Sequence, residues 1–163
     1  MQAGPRLASM PGWLAALAAP QITASPEALR SWLADLVGAA AITYLYYGHG
    51  EGIMLVHSAT APSAILRTLP ALDTPLWAPS VAASWAAAAA LTAVYAPAAP
   101  AAQTELPDLP TGPQAAEETF ARAVEHGDEH VIKFADTAAD AYERTGSPHA
   151  LAAAVRAAQL IGP

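Results

Sequence analysis

An excess of acidic side chains, 14 Asp and Glu against 7 Lys and Arg, gives this 163-residue chain a formal charge of −7. No basic cluster able to neutralise phosphates occurs, which excludes nucleic acid as a partner. Cysteine is absent, so disulfides, thiolate zinc sites, iron–sulfur clusters and a cysteine nucleophile are excluded too.

The length suits one domain, 1–163, around one core. The hydrophobic share is 54%, much of it alanine, a strong helix former that fills a deep core poorly. Closely packed helices anchored by Trp13, Trp32, Trp77, Trp85, Phe120 and Phe134 are expected. The alanine and proline richness also suits a GC-rich bacterial genome. The opening MQAGPRLASMPGW lacks the basic and apolar runs of a secretory signal. With no cysteine, this fits a cytoplasmic protein.

Residues 1–24 read as a loosely ordered segment, with a short helix over Gly12 to Ala19 ending at Pro20. The first long helix starts at Ser25-Pro26-Glu27, where serine caps, proline suits the first turn and glutamate faces the positive dipole end. Trp32, Leu33, Leu36 and Val37 mark its buried face, and it ends near Tyr44–Tyr47. Gly48-His49-Gly50-Glu51-Gly52 is glycine-rich and predicts a loop. A short helix over Ile53 to Ala59 is then interrupted at Pro62, and Ser63 to Leu69 continues to Pro70.

No charge falls between Thr74 and Thr104. Its apolar part, Val81 to Ala96, is short for a membrane span and lies between Pro79 and Pro97, so a buried, central helix over Pro79–Tyr95 is expected, and no membrane. Residues 97–113 are rich in proline and predict a surface linker. Gln114 to Glu125 sets Ala116, Phe120, Ala123 and Val124 on one face. Asp128 to Arg144 sets Val131, Ala135, Ala138, Ala139 and Tyr142 on one face, opposite Glu129, Lys133, Asp136 and Asp140. Gly127 ends one helix and Asp128 caps the next; Ser147-Pro148 opens a last helix that runs to Leu160. No stretch alternates at period two, and the fold class is all-α, a bundle of about five to seven helices without a sheet.

Two segments carry candidate chemistry. In Gly48 to Arg67, His57 and Thr60 share a helix face between a glycine loop and a proline. Read blandly, His57 is a core histidine and Thr60 caps a turn. In Glu125 to Phe134, His126 and His130 would be one turn apart on an unbroken helix, but Gly127 weakens a shared metal and no metal site is assigned. Glu129 and Lys133 form an i, i+4 ion pair, and His130 with Phe134 lies beside the apolar face. No nucleophile elbow, phosphate loop or dinucleotide fingerprint occurs, so no cofactor fold is built in.

These two runs, Gly52 through Val56-His57-Ser58-Ala59-Thr60-Ala61-Pro62-Ser63-Ala64 to Arg67, and Gly127-Asp128-Glu129-His130-Val131-Ile132-Lys133-Phe134, resemble the carboxyl-terminal signatures of questin oxidase-like proteins. The resemblance spans about Leu33 to Leu160. It implies a largely helical polyketide-tailoring enzyme that opens a ring of an aromatic, quinone-like substrate by Baeyer–Villiger-type oxygenation. Molecular oxygen and reduced nicotinamide (NADPH) are its implied co-substrates. A redox-free cyclase or isomerase, and a non-catalytic helical subunit, are the alternatives. Catalytic weight falls on His57, His130 and Lys133, the imidazoles as acid and base, with Lys133 or Thr60 steadying an oxyanion or enolate. Thr60, Glu129, Phe134, Tyr47 and Trp85 are assigned to substrate binding. Family members are longer, so a homodimer or a partner chain is expected to supply the missing half.

Overall fold

The computed structural model describes residues 7–11, 13 and 24–163. The expected loose segment and short helix within 1–24 lie largely outside the described residues. Among those described there are six long helices and no strand: α1 (Pro26–Tyr47), α2 (Gly52–Thr68), α3 (Trp77–Tyr95), α4 (Ala115–His126), α5 (Glu129–Thr145) and α6 (Pro148–Leu160). The all-α expectation holds.

Local chemistry sets most boundaries. Ser25 Oγ accepts from the Ala28 N–H ahead of Pro26, starting α1. Gly127 ends α4 with φ +84°, a left-handed conformation that suits glycine, and Asp128 then caps α5. Two of the three glycines after α1 are required by close approach. A Cβ on Gly48 would lie 2.8 Å from the Tyr44 ring, and one on Gly50 would lie 2.3 Å from the Tyr95 carbonyl oxygen. The expected loop there is in fact a 3-10 turn, Gly48–Gly50, leading straight into α2.

Pro62 does not interrupt α2, which runs unbroken from Gly52 to Thr68. An interior proline costs a helix about 3 kcal/mol. Here it is fully buried, and α2 is gripped by α1, α3 and α5, so packing overrides the local penalty.

The centre of the bundle is α1, which packs on α2, α3, α5 and α6. Its Leu29, Leu33, Val37, Ala40, Ala41, Tyr44 and Leu45 are buried. The larger core joins the end of α1 to α2, α4, α5 and α6, with Tyr44 and Phe134 in ring contact at 4.6 Å. A smaller core gathers Leu29, Leu33, Leu69 and Val81 beneath Trp32 and Trp77.

Two expectations about faces are corrected. Helix α3 is peripheral rather than central: it packs mainly on α1 and α2, and only Val81, Ser84, Ala88 and Val94 are buried. Alanine on every side gives it no large stripe to sink into the core. Thr74–Tyr95 is long and apolar enough, by length and composition, to cross a membrane; its mean hydropathy is 1.3 and 22% of that window is buried. On α4, the buried face is Ala115, Thr119 and Ala123, while Phe120 (38% exposed) and Val124 (52%) face outward. Residues 97–113 form no long helix, yet they are pinned: Ala101 is buried and its N–H donates to the Tyr46 carbonyl at 2.7 Å.

Candidate functional site

Helices α2 and α5 run side by side in the same direction. His57 and His130 meet near their amino-terminal ends, with ring centroids 5.4 Å apart and edge-on, while Arg67 and Asp140 meet further along. The sequence supplies the match. His57, Thr60, Ala64 and Arg67 recur at i, i+3, i+7 and i+10 on α2, and His130, Lys133, Thr137 and Asp140 repeat that spacing on α5. This is the spacing of a single helix face.

Between the two faces lies an open cleft of about 450 Å³, lined by Val56, His57, Thr60, Arg67, His130, Lys133 and neighbours that include Asp136 and Thr137. That volume is within the range of small-molecule sites. Its walls are mostly apolar, from Val56, Ala61, Ala64 and the threonine methyls.

The two imidazoles differ at Nδ1. His57 Nδ1 donates to the Ile53 carbonyl at 2.8 Å, which leaves Nε2 as the ring's basic nitrogen. His130 Nδ1 is buried without a hydrogen bond in good geometry and lies 3.4 Å from Asp128 Oδ1. Asp128 also accepts from the N–H groups of His130 (2.8 Å) and Val131 (3.2 Å). Burial works to raise the Asp128 pKa, but those N–H donors and the His130 ring outweigh it, and the carboxyl is held below its usual range.

The two threonine hydroxyls that line the cleft each point back to their own helix. Thr60 Oγ1 donates to the Val56 carbonyl, and Thr137 Oγ1 on α5 does the same to Lys133. Their lone pairs remain as acceptors. The two cations are already engaged: Lys133 Nζ lies 2.7 Å from Glu129 Oε2, and Arg67 Nη2 lies 2.7 Å from Asp136 and donates to Asp140. The hydrogen bond to Asp140 is the chief cause of a raised Arg67 pKa.

Of the residues singled out by sequence, His57, Thr60, His130 and Lys133 line this one cleft. Glu129 does not line it and is joined to it by its ion pair with Lys133. Phe134 is corrected: it is completely buried against Tyr44 and faces the core, not a ligand. Trp85 belongs to a different cleft, between α1 and α3, and its ring sits edge-on to Trp32. Tyr47, half-buried at the end of α1, does not line the His57–His130 cleft. His126 is turned away, its Nε2 3.0 Å from the Ile161 carbonyl, so the His126–His130 pair does not form. Sequence reading missed Arg67, Asp136 and Asp140 as a unit of the site; the shared ten-residue register was the signal.

Among the described residues, no three His, Cys, Asp or Glu side chains gather where they would hold a metal ion. A reduced nicotinamide dinucleotide carries several phosphates, and the cleft does not suit it: both cations have carboxylate partners and no glycine-rich phosphate loop is present. No protein-family model, curated protein or solved structure matches the chain.

Proposed function

We propose that the chain is a small helical enzyme of aromatic polyketide tailoring that uses His57 and His130 as an acid–base pair on a hydroxylated, quinone-like ring. The observation that carries this reading is the meeting of two imidazoles, 73 residues apart in sequence, in one mostly apolar cleft. Histidine titrates near neutral pH and exchanges protons readily at such sites.

In the proposed sequence, a flat phenolic substrate lies along the apolar walls. His130, backed by Asp128, takes the proton of a ring hydroxyl. Lys133 steadies the phenolate that this leaves, and only in the redox-free branch does His57 return a proton at a carbonyl oxygen. The resulting electron-rich anion either reacts with molecular oxygen towards ring opening, as the questin oxidase-like resemblance implies, or rearranges without oxygen. No step is routed through nicotinamide. The chain is read as a cytoplasmic protein that meets neither membrane nor nucleic acid. Its partner is a second copy or a companion chain.

The test is a visible-absorption titration with 1,8-dihydroxyanthraquinone at pH 7. Binding is expected to shift the dye towards its phenolate spectrum, and His130→Gln is expected to abolish the shift while leaving the helical content unchanged. An oxygen electrode then separates the oxidative branch from the redox-free one. Equal spectra with and without protein would overturn the acid–base reading.

A second reading rests on Phe120 and Val124, an exposed apolar pair one turn apart on α4. In that reading the chain is a non-catalytic helical subunit that docks α4 on a larger enzyme. Wild-type activity after changing both His57 and His130 to alanine would favour it.

A further inference from the structure

We infer that Asp136 and Asp140 determine specificity in the His57–His130 cleft by keeping Arg67 occupied, so that the cleft admits uncharged ligands and turns away phosphate- or sulfonate-bearing ones. The inference rests on this cleft being the ligand site.

A guanidinium and an ammonium at the mouth of an apolar cleft would ordinarily attract an anion, because Arg presents a planar fork of donors that matches phosphate and carboxylate. Here the Nε–Nη2 edge of the fork is taken. Arg67 Nε and Nη2 both reach Asp140 Oδ2, and Nη2 also contacts Asp136 Oδ2. One cation against two carboxylates leaves that end of the cleft with a residual negative charge. At the other end, Lys133 is paired to Glu129, and Asp128 stands beside His130. The four carboxylates outnumber the two permanent cations, and the chain as a whole carries −7. A ligand phosphate would have to strip carboxylates from Arg67 and then sit among the charges it displaced. Building repulsion against the wrong ligand is how a site gains discrimination beyond its attractive contacts.

The chemical consequence concerns order of events. A substrate tethered through a phosphate-bearing carrier, or activated as a nucleotide ester, would be rejected. The cleft would act on the free aromatic after any such group has been removed by a hydrolase or a spontaneous release step.

Alizarin and alizarin-3-sulfonate differ by one sulfonate and make a matched pair of probes. By fluorescence quenching at low ionic strength, the wild type is expected to bind alizarin at least about tenfold more tightly than the sulfonate. In Asp136→Asn/Asp140→Asn the ratio is expected to fall to about threefold or less, since Arg67 is released. These pairs are exposed and contribute little to stability, so the variant should fold; far-UV circular dichroism checks this, and Asp140→Asn alone is the fallback. A wild type that binds the sulfonate equally well, or a ratio unmoved in the variant, overturns the inference. Should neither dye bind, the proposed function fails, and inorganic phosphate decides the charge question by itself. Phosphate bound only by the double variant, and lost again on adding Arg67→Gln, upholds it. Phosphate bound by the wild type, or by neither protein, overturns it.

Discussion

Replacing Asp128 separates two contributions that one side chain makes to α5. Its Oδ1 satisfies the N–H groups of His130 and Val131, which would otherwise be orphaned at the helix start. Removing such a cap costs about 1 kcal/mol, within roughly 0.5–2. Losing the negative charge at the positive end of the helix dipole adds about 0.3–1 kcal/mol. Asp128→Ala should therefore cost about 1–2 kcal/mol at pH 7, whereas Asp128→Asn keeps an acceptor and should cost about 0.5 kcal/mol. The pH dependence has a definite sign. The folded carboxyl is held below its ordinary range, so its charged form adds stability that is complete above the unfolded pKa of about 3.9. That part is lost as pH falls through the lower folded value. Urea unfolding of the wild type and both variants at pH 7 and near pH 2.5 measures it. The gap between wild type and Asp128→Asn should close in acid. A gap that stays constant, or an Asn variant as damaged as the Ala variant at pH 7, would refute the reasoning.

Other substitutions probe the core and the surface. Phe134→Ala should destabilise by about 3–5 kcal/mol in urea titrations, because the ring is completely buried against Tyr44. Gly48→Ala should cost about 1–3 kcal/mol in the same assay, since its methyl would press on a Tyr44 ring that has nowhere to move. Lys133→Met should change stability by less than about 0.5 kcal/mol, and any loss should vanish at high salt, because the Glu129–Lys133 pair is exposed.

Where chemistry is local, the chain is legible. Ser25-Pro26 and Gly127-Asp128 mark helix ends because caps and left-handed glycines act within a few residues, and Pro148 marks the start of α6 although the Ser147 side chain makes no capping bond. Pro62 misleads because only the burial of α2 among three other helices reveals that its local penalty is overridden. Phe120 and Val124 look like core from their spacing, yet the neighbouring helices meet Ala115, Thr119 and Ala123 instead. A heptad pattern does not say which face of an alanine-rich helix its neighbours will choose.

The candidate site divides in the same way. His57 with Thr60, and His130 with Lys133, could each be placed on a helix face from spacing alone. That the two faces oppose one another in parallel depends on where α1 holds both helices, which no local pattern encodes. His130 sits at the edge of two environments: Lys133 turns outward beside it, while Phe134, one turn on, rotates into the core. Sequence proximity to a site histidine therefore misassigned Phe134, while Trp85 lines a separate cleft between α1 and α3.

The most direct test of the central claim is a titration of histidine-labelled protein with 1,8-dihydroxyanthraquinone, followed through the imidazole nitrogen resonances of all five histidines. His57 and His130 should shift together and saturate at one equivalent, while His49, His126 and His149 stay in place. Saturable shifts at the other three histidines, or none at His57 and His130, would contradict the account.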